Sequence, residues 1–325
     1  MQLSRREFGK LASSALPAAA LLGGFDARAQ SRKPNSVIGG VNVGTITYSY
    51  RSMPDQSAEA TLRYILESGI SQVELMNGPA ESFAGIPPTG RGGPGGGGGR
   101  GGQPPTPEQQ AAQREAAERT KQWRTSVSMD RFKALRKMYN DAGVTIYAWK
   151  LLSPTMSDEE FEYVFNVAEV LGCTHTTLEL PTDVAQLKRV GEFAEKRKIY
   201  AAYHTHTQAA MTSFDQAFAV SKGNMSNIDL GHYVAGTGKS PIPFLRKYHD
   251  RIASVHLKDR KTPAHGADNV PWGTGDTPLK EILQVMKKEK YTFPASIEME
   301  YTVPQGSDAV KEVAKCFQFC KAALA

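Results

Sequence analysis

Thr174-His175-Thr176-Thr177-Leu178-Glu179-Leu180 is followed, after one helical stretch, by Ile199-Tyr200-Ala201-Ala202-Tyr203-His204-Thr205-His206. Three further runs share this character: Ser226-Asn227-Ile228-Asp229-Leu230-Gly231, Ile252-Ala253-Ser254-Val255-His256-Leu257-Lys258, and Ala295-Ser296-Ile297-Glu298-Met299-Glu300-Tyr301. Side chains along a strand alternate between two faces. On one face stand Thr176, Leu178 and Leu180, then Tyr203, Ile228 and Leu230, Val255 and Leu257, Ile297 and Met299. On the other stand His175, Thr177 and Glu179, then His204 and His206, Asn227 and Asp229, Ser254, His256 and Lys258, Ser296, Glu298 and Glu300. The apolar set suits packing against helices. The polar set carries its charged members toward the C-terminal ends of the strands.

Working outward, strand-like runs alternate with helical patterns. Val41–Tyr48, Ile70–Leu75 and Val144–Leu151 precede the five runs above, which makes eight. Helices are expected over Ser57–Glu67, Met129–Asp141, Ser157–Leu171, 182–197, 212–222, 241–250, 278–290 and 307–322. Ser157 with Glu160 three residues later is the spacing of a capping box. Strict alternation predicts a parallel sheet with helical crossovers. Eight units in about 250 residues is the size of a closed (β/α)8 TIM barrel, with an α/β open sheet as the competing arrangement. No G-x-G-x-x-G follows the first strand, so a dinucleotide site has no support. One segment breaks the rhythm: residues 79–127 form an insertion after the second strand. Ten of the thirteen residues in 90–102 are glycine, a low-complexity linker. Residues 107–124 then read as a helix. The insertion leaves from a strand C-terminus, so it is expected over the active face, as a surface loop, a lid or a contact between subunits of a homo-oligomer.

The chain has 325 residues and a formal net charge of +6. Residues 1–29 contain paired arginines (Arg5, Arg6), a weakly apolar stretch and Ala27-Arg28-Ala29, the parts of a twin-arginine signal peptide. This predicts export to a bacterial periplasm or beyond, a domain over 30–325, and no integral membrane segment once the signal is removed. The signal holds four basic and two acidic residues, so about +4 remains, and residues 91–124 hold six basic against three acidic. The rest is near neutral, which excludes an electrostatic nucleic-acid groove. Three cysteines (Cys173, Cys316, Cys320) are expected as free buried thiols.

Burying an unpartnered carboxylate costs several kcal/mol. Burying Glu179, Asp229 and Glu298 with His204 and His256 on inward parity is hard to justify without a cation. Carboxylate oxygens with imidazole suit one divalent ion, Mn²⁺, Mg²⁺, Co²⁺ or Zn²⁺. Strand C-termini are also where barrels of this kind place their active sites. Glu74 and Lys150, at the ends of strands two and three, are expected either to face the site or to support it.

These residues resemble the xylose isomerase-like TIM-barrel superfamily of sugar phosphate isomerases and epimerases. The matching stretches are Thr177-Leu178-Glu179-Leu180, Tyr203-His204-Thr205-His206, Asp229-Leu230-Gly231-His232, Val255-His256-Leu257-Lys258-Asp259, Pro271-Trp272-Gly273-Thr274-Gly275-Asp276 and Ser296-Ile297-Glu298-Met299-Glu300. The resemblance implies one metal held by Glu179, Asp229, His256 and Glu298, with Glu300 competing for the last place. It also implies that His206, His232, Lys258 and Trp272 lie near the substrate, Trp272 as a stacking surface, the alternative being that Trp272 only anchors its loop. Glycines 273 and 275 would let backbone approach the substrate.

Such enzymes remove a proton from carbon next to a carbonyl, and a metal stabilises the enediolate. Glu179 and Glu298 would act as base and acid, with His204 or His232 as a proton shuttle. No triple-arginine phosphate clamp is evident, so a non-phosphorylated sugar or keto-sugar is expected. The same apparatus suits β-elimination from a 3-keto-glycoside. A multi-zinc endonuclease and a non-catalytic periplasmic sugar-binding protein are the readings from other classes.

Overall fold

The computed structural model describes residues 33–88 and 106–325. The twin-arginine segment and the glycine tract 90–102 lie outside the described residues. Nine strands form the sheet: β1 (Val37–Ile38), β2 (Val41–Ile46), β3 (Gln72–Met76), β4 (Thr145–Lys150), β5 (His175–Glu179), β6 (Tyr200–His204), β7 (Asn224–Asp229), β8 (Ile252–Leu257) and β9 (Ala295–Ile297). β1 is a short antiparallel partner of β2. The other eight are parallel, pair in chain order, and close on themselves where β2 meets β9. This is the (β/α)8 barrel that the alternation predicts. Closure puts Gly44 opposite Ser296. A Cβ at Gly44 would lie 2.9 Å from the Tyr147 ring, so the glycine makes room for an aromatic filling the barrel interior.

Among the described residues the helices are α1 (Ala58–Glu67), α2 (Asn77–Ala84), α3 (Pro107–Ser126), α4 (Asp130–Asp141), α5 (Asp158–Leu171), α6 (Val184–Arg197), α7 (Asp215–Val220), α8 (Leu230–Thr237), α9 (Ile242–Tyr248), α10 (Leu279–Lys288) and α11 (Ala309–Leu324). None of them is long and apolar enough to cross a membrane. Local chemistry sets their ends. Ser57 caps α1, Ser157 and Glu160 complete a capping box on α5, and Gly172 ends α5 in the left-handed region. The outward apolar set is buried: Leu178, Tyr203, Ile228, Val255, Leu257 and Ile297 join the core between sheet and helices, with Phe132, Trp149, Phe161 and Phe165. The three cysteines are free and buried.

Two helices depart from the sequence reading. α8 leaves β7 directly, ahead of the helix expected over 241–250. Its glycines weaken the helical pattern, but Asp229 caps it, and Gly236 is required because a Cβ there would sit 2.0 Å from the Thr207 carbonyl oxygen. α2 likewise continues straight out of β3. In α3 no residue is buried, yet its C-terminal end is anchored. Arg124 Nε and Nη2 donate to the two oxygens of buried Glu81 at 2.8 and 3.1 Å, and Tyr163 Oη donates to Glu81 at 3.1 Å.

Candidate metal centre and active site

Barrel closure gathers the charged strand ends. Glu74 lies in β3, His256 in β8, and Glu179, His204 and Asp229 end β5, β6 and β7; Glu298 follows β9. Glu74, His204, Asp229, His256 and Glu298 are buried. One ligating atom from each of His204, Asp229, His256 and Glu298 lies within 4.8 Å of the others. An adjoining group shares His204 and adds Glu179 and His206 at the same spacing. Glu179 therefore stands in the neighbouring triad, beside the four-membered cluster. Its side chain is 55% exposed, with its oxygens 3.2 Å from Lys150 Nζ and 3.3 Å from His206 Nδ1. Those partners hold it at the mouth.

His256 is clamped between carboxylates. Its Nδ1 is 2.8 Å from Glu298 Oε2 and its Nε2 is 2.8 Å from Glu74 Oε2. Burial opposes charge on this imidazole, but Glu74 and Glu298 prevail and raise its pKa to about 10. Burial would also raise Glu74. The charge and hydrogen bond of His256, with Lys150 and Thr177, bring it down to about 2. Glu298 is held well below the usual carboxylate range, where Lys258 and His256 outweigh its burial.

Asn227 sets the form of His204. Its Nδ2 donates to Ser254 Oγ at 2.6 Å and to Glu74 Oε2 at 3.3 Å, so its Oδ1, 3.1 Å from His204 Nδ1, must accept. The His204 proton is thereby on Nδ1, and Nε2 keeps its lone pair. Burial, reinforced by the charges of Lys150 and His256, holds the His204 pKa well below its ordinary value, so the ring is neutral.

Asp229 Oδ1 accepts from the His232 backbone N–H at 2.7 Å. Oδ2 is buried, 3.0 Å from Lys258 Nζ, and accepts no hydrogen bond of good geometry. Burial raises the Asp229 pKa. A buried carboxylate oxygen with no well-aligned donor, beside a second carboxylate and two imidazoles, is a donor set that suits a divalent ion. The residues fit one: Asp229, His256, Glu298 and His204 would hold it, with Glu74 behind His256.

Lys258 enters the same group. Its Nζ lies 3.1 Å from Glu298 Oε2 and 3.1 Å from His232 Nε2, and it also binds Glu300. The two candidates for the last ligand are thus separated: Glu298 joins the cluster and Glu300 pairs with Lys258. His232 is neutral, its pKa lowered to about 2 by burial and by Lys258 and Arg260. Arg260, which donates to His232 Nδ1, was not legible in the alternation, because it lies past the strand end.

Trp272 is outside this network. Its ring meets Phe319 of α11 edge-on at 5.8 Å, and its indole nitrogen has no partner. It anchors its loop. The expectation for Gly275 is also revised: a Cβ there would fall 1.9 Å from Asp259 Oδ1. The glycine admits the Asp259 carboxylate, which takes the N–H groups of Gly273 and Gly275 at 2.8 and 2.9 Å.

Comparison with known proteins agrees with this architecture. The family pattern described as "Xylose isomerase-like TIM barrel" matches residues 115–320. An inosose dehydratase of Clostridium beijerinckii is 28% identical over 124 residues, 36% of this chain and 35% of that protein. The chain therefore spans about a third of the length of this curated relative. A sugar phosphate isomerase/epimerase from Parabacteroides distasonis superposes with a TM-score of 0.57 at 17% identity, covering 89% of this chain and 97% of that one. A probable 3-DHS dehydratase from Bacillus anthracis gives 0.58 at 14%, covering 86% and 98%. At those identities the likeness is one of fold. Because the family pattern matches more than half of the chain, the chain belongs to the xylose isomerase-like TIM barrel family.

Proposed function

We propose that this protein is a divalent-metal-dependent enzyme that isomerises or epimerises a non-phosphorylated sugar or keto-sugar by removing a proton next to a carbonyl. The observation that carries this reading is the buried His204–Asp229–His256–Glu298 cluster at the strand C-termini, bordered by the half-exposed Glu179. Bound there, a divalent ion supplies Lewis-acid polarisation of the carbonyl.

The chain's own residues do the rest. Glu179 takes the proton, its oxygens steered by Lys150 and His206. The C–H electron pair becomes the new C=C bond, and the carbonyl π pair moves onto oxygen. Glu298, on a distant strand and kept ionised, serves the opposite face. Whichever carboxylate has accepted a proton is the acid for its return. His204, with Nδ1 tied to Asn227 and its one lone pair on Nε2 turned to the cluster, serves as a ligand, which leaves neutral His232 for the relay, while His206 and Lys258 hold substrate hydroxyls.

A second reading is favoured by the name of the curated relative, inosose dehydratase. The same proton abstraction, followed by loss of the group β to the carbonyl, makes a dehydratase or a 3-keto-glycoside lyase. We also propose that the protein works in the periplasm, which rests on the twin-arginine pattern of residues 1–29. The test is incubation of the protein with free ketoses, inososes and 3-keto-glycosides in D₂O, with Mn²⁺ or with chelator. Metal-dependent deuterium incorporation at the carbon next to the carbonyl supports the reading, and the product separates isomerase from lyase. Absence of exchange with every substrate would overturn it.

A further inference from the structure

Lys258 is buried, and its ammonium touches both carboxylates of the candidate metal cluster, Asp229 Oδ2 at 3.0 Å and Glu298 Oε2 at 3.1 Å. It does not serve those two alone. Glu300, which is partly buried, binds the same ammonium from a position outside the cluster, and His232 Nε2 stands 3.1 Å away. Like charges repel strongly in a site shielded from water. An ammonium and a divalent ion therefore compete for the same two carboxylates. Without any cation, Asp229 and Glu298 would be buried with too little compensation.

We propose that Lys258 is a resident cation of the metal cage: it neutralises Asp229 and Glu298 while the metal is absent, and metal entry displaces its ammonium onto Glu300. The inference rests on reading the cluster as a metal site. It gives Glu300 a function that its exclusion from the cluster leaves unexplained, as the berth for the displaced lysine. It also lets the barrel close with Asp229, Glu298 and Glu300 around one point before metal is loaded.

The test is direct Mn²⁺ binding to the metal-free full-length protein, read by the electron paramagnetic resonance signal of free Mn²⁺, with metal-induced rise in Tm as a second measurement. Lys258→Met is expected to bind Mn²⁺ at least tenfold more tightly than the parent, and Glu300→Gln several-fold more weakly. The double variant discriminates between explanations. If Glu300 acts only through Lys258, Glu300→Gln has no effect in the Lys258→Met background. If Glu300 acts by its charge alone, its effect persists there. Should Lys258→Met be too unstable without metal, its Tm in saturating Mn²⁺ must rise by more than that of the parent. Equal or weaker binding by Lys258→Met, or a persistent Glu300 effect, overturns the resident-cation inference and leaves the metal site standing. Failure of both the parent and Lys258→Met to bind Mn²⁺ overturns the inference and the metal site together.

Discussion

Glu74 and His256 are 182 positions apart, yet Glu74 Oε2 lies 2.8 Å from His256 Nε2 inside the barrel. A carboxylate behind an imidazole fixes the ring's orientation and increases its basicity as a ligand. Here it would leave Nδ1, the nitrogen facing Glu298, to ligate a metal held in the cluster. Glu74→Gln is expected to weaken divalent metal binding about 10- to 100-fold. Metal content after dialysis against graded chelator checks this, and an unchanged affinity would remove Glu74 from the metal's support.

Glu179 is exposed enough to be changed without disturbing the core. Glu179→Gln keeps the shape and removes the proposed base. The rate of solvent deuterium exchange into substrate should fall by about 10²- to 10⁴-fold, with Tm nearly unchanged. A variant that exchanges at the parent rate assigns the base elsewhere.

His175 is buried below the site, with Nε2 2.9 Å from Ser254 Oγ. Burial lowers its pKa from 6.5 to about 4, against a smaller opposing pull from Glu74. Between pH 6.5 and about 4 the unfolded chain binds this proton and the folded one does not. Stability is therefore intact above 6.5 and declines as the pH falls through that window, by about 1.4 kcal/mol per unit from this group. Urea denaturation midpoints at pH 7 and pH 4.5 measure the slope. His175→Gln should reduce the slope by this group's share, the rest coming from buried His204 and His232.

Arg124 ties α3 to the barrel through Glu81, whose side chain is fully buried. Arg124→Met leaves that carboxylate without its cation and should cost about 3–5 kcal/mol. Adding Glu81→Gln should restore part of the loss, since the amide oxygen still accepts from Tyr163. Thermal denaturation of the single and double variants checks both, and limited proteolysis shows whether α3 is released.

Much of the architecture could be read along the chain. Alternation of period two, interrupted by helical stretches, is a local property of a strand, and it put Glu179, His204, Asp229, His256 and Glu298 on the inward face with their ends at one mouth. Capping residues such as Ser157 also act over three or four positions, so their helices were legible. α8 was obscured by its glycines, although Asp229 as its cap was a signal that could have found it.

Pairing among the inward groups was not legible in this way. Parity allowed both Glu298 and Glu300 into the site. Closure of the barrel decided that Glu298 meets His256 while Glu300 takes Lys258, that Asn227 assigns the proton of His204, and that Glu179 sits with Lys150 and His206 at the rim. Periodicity tells a residue which side of its strand to face. Which charge it then meets depends on strands tens to hundreds of residues away, whose register is fixed only when β9 closes against β2.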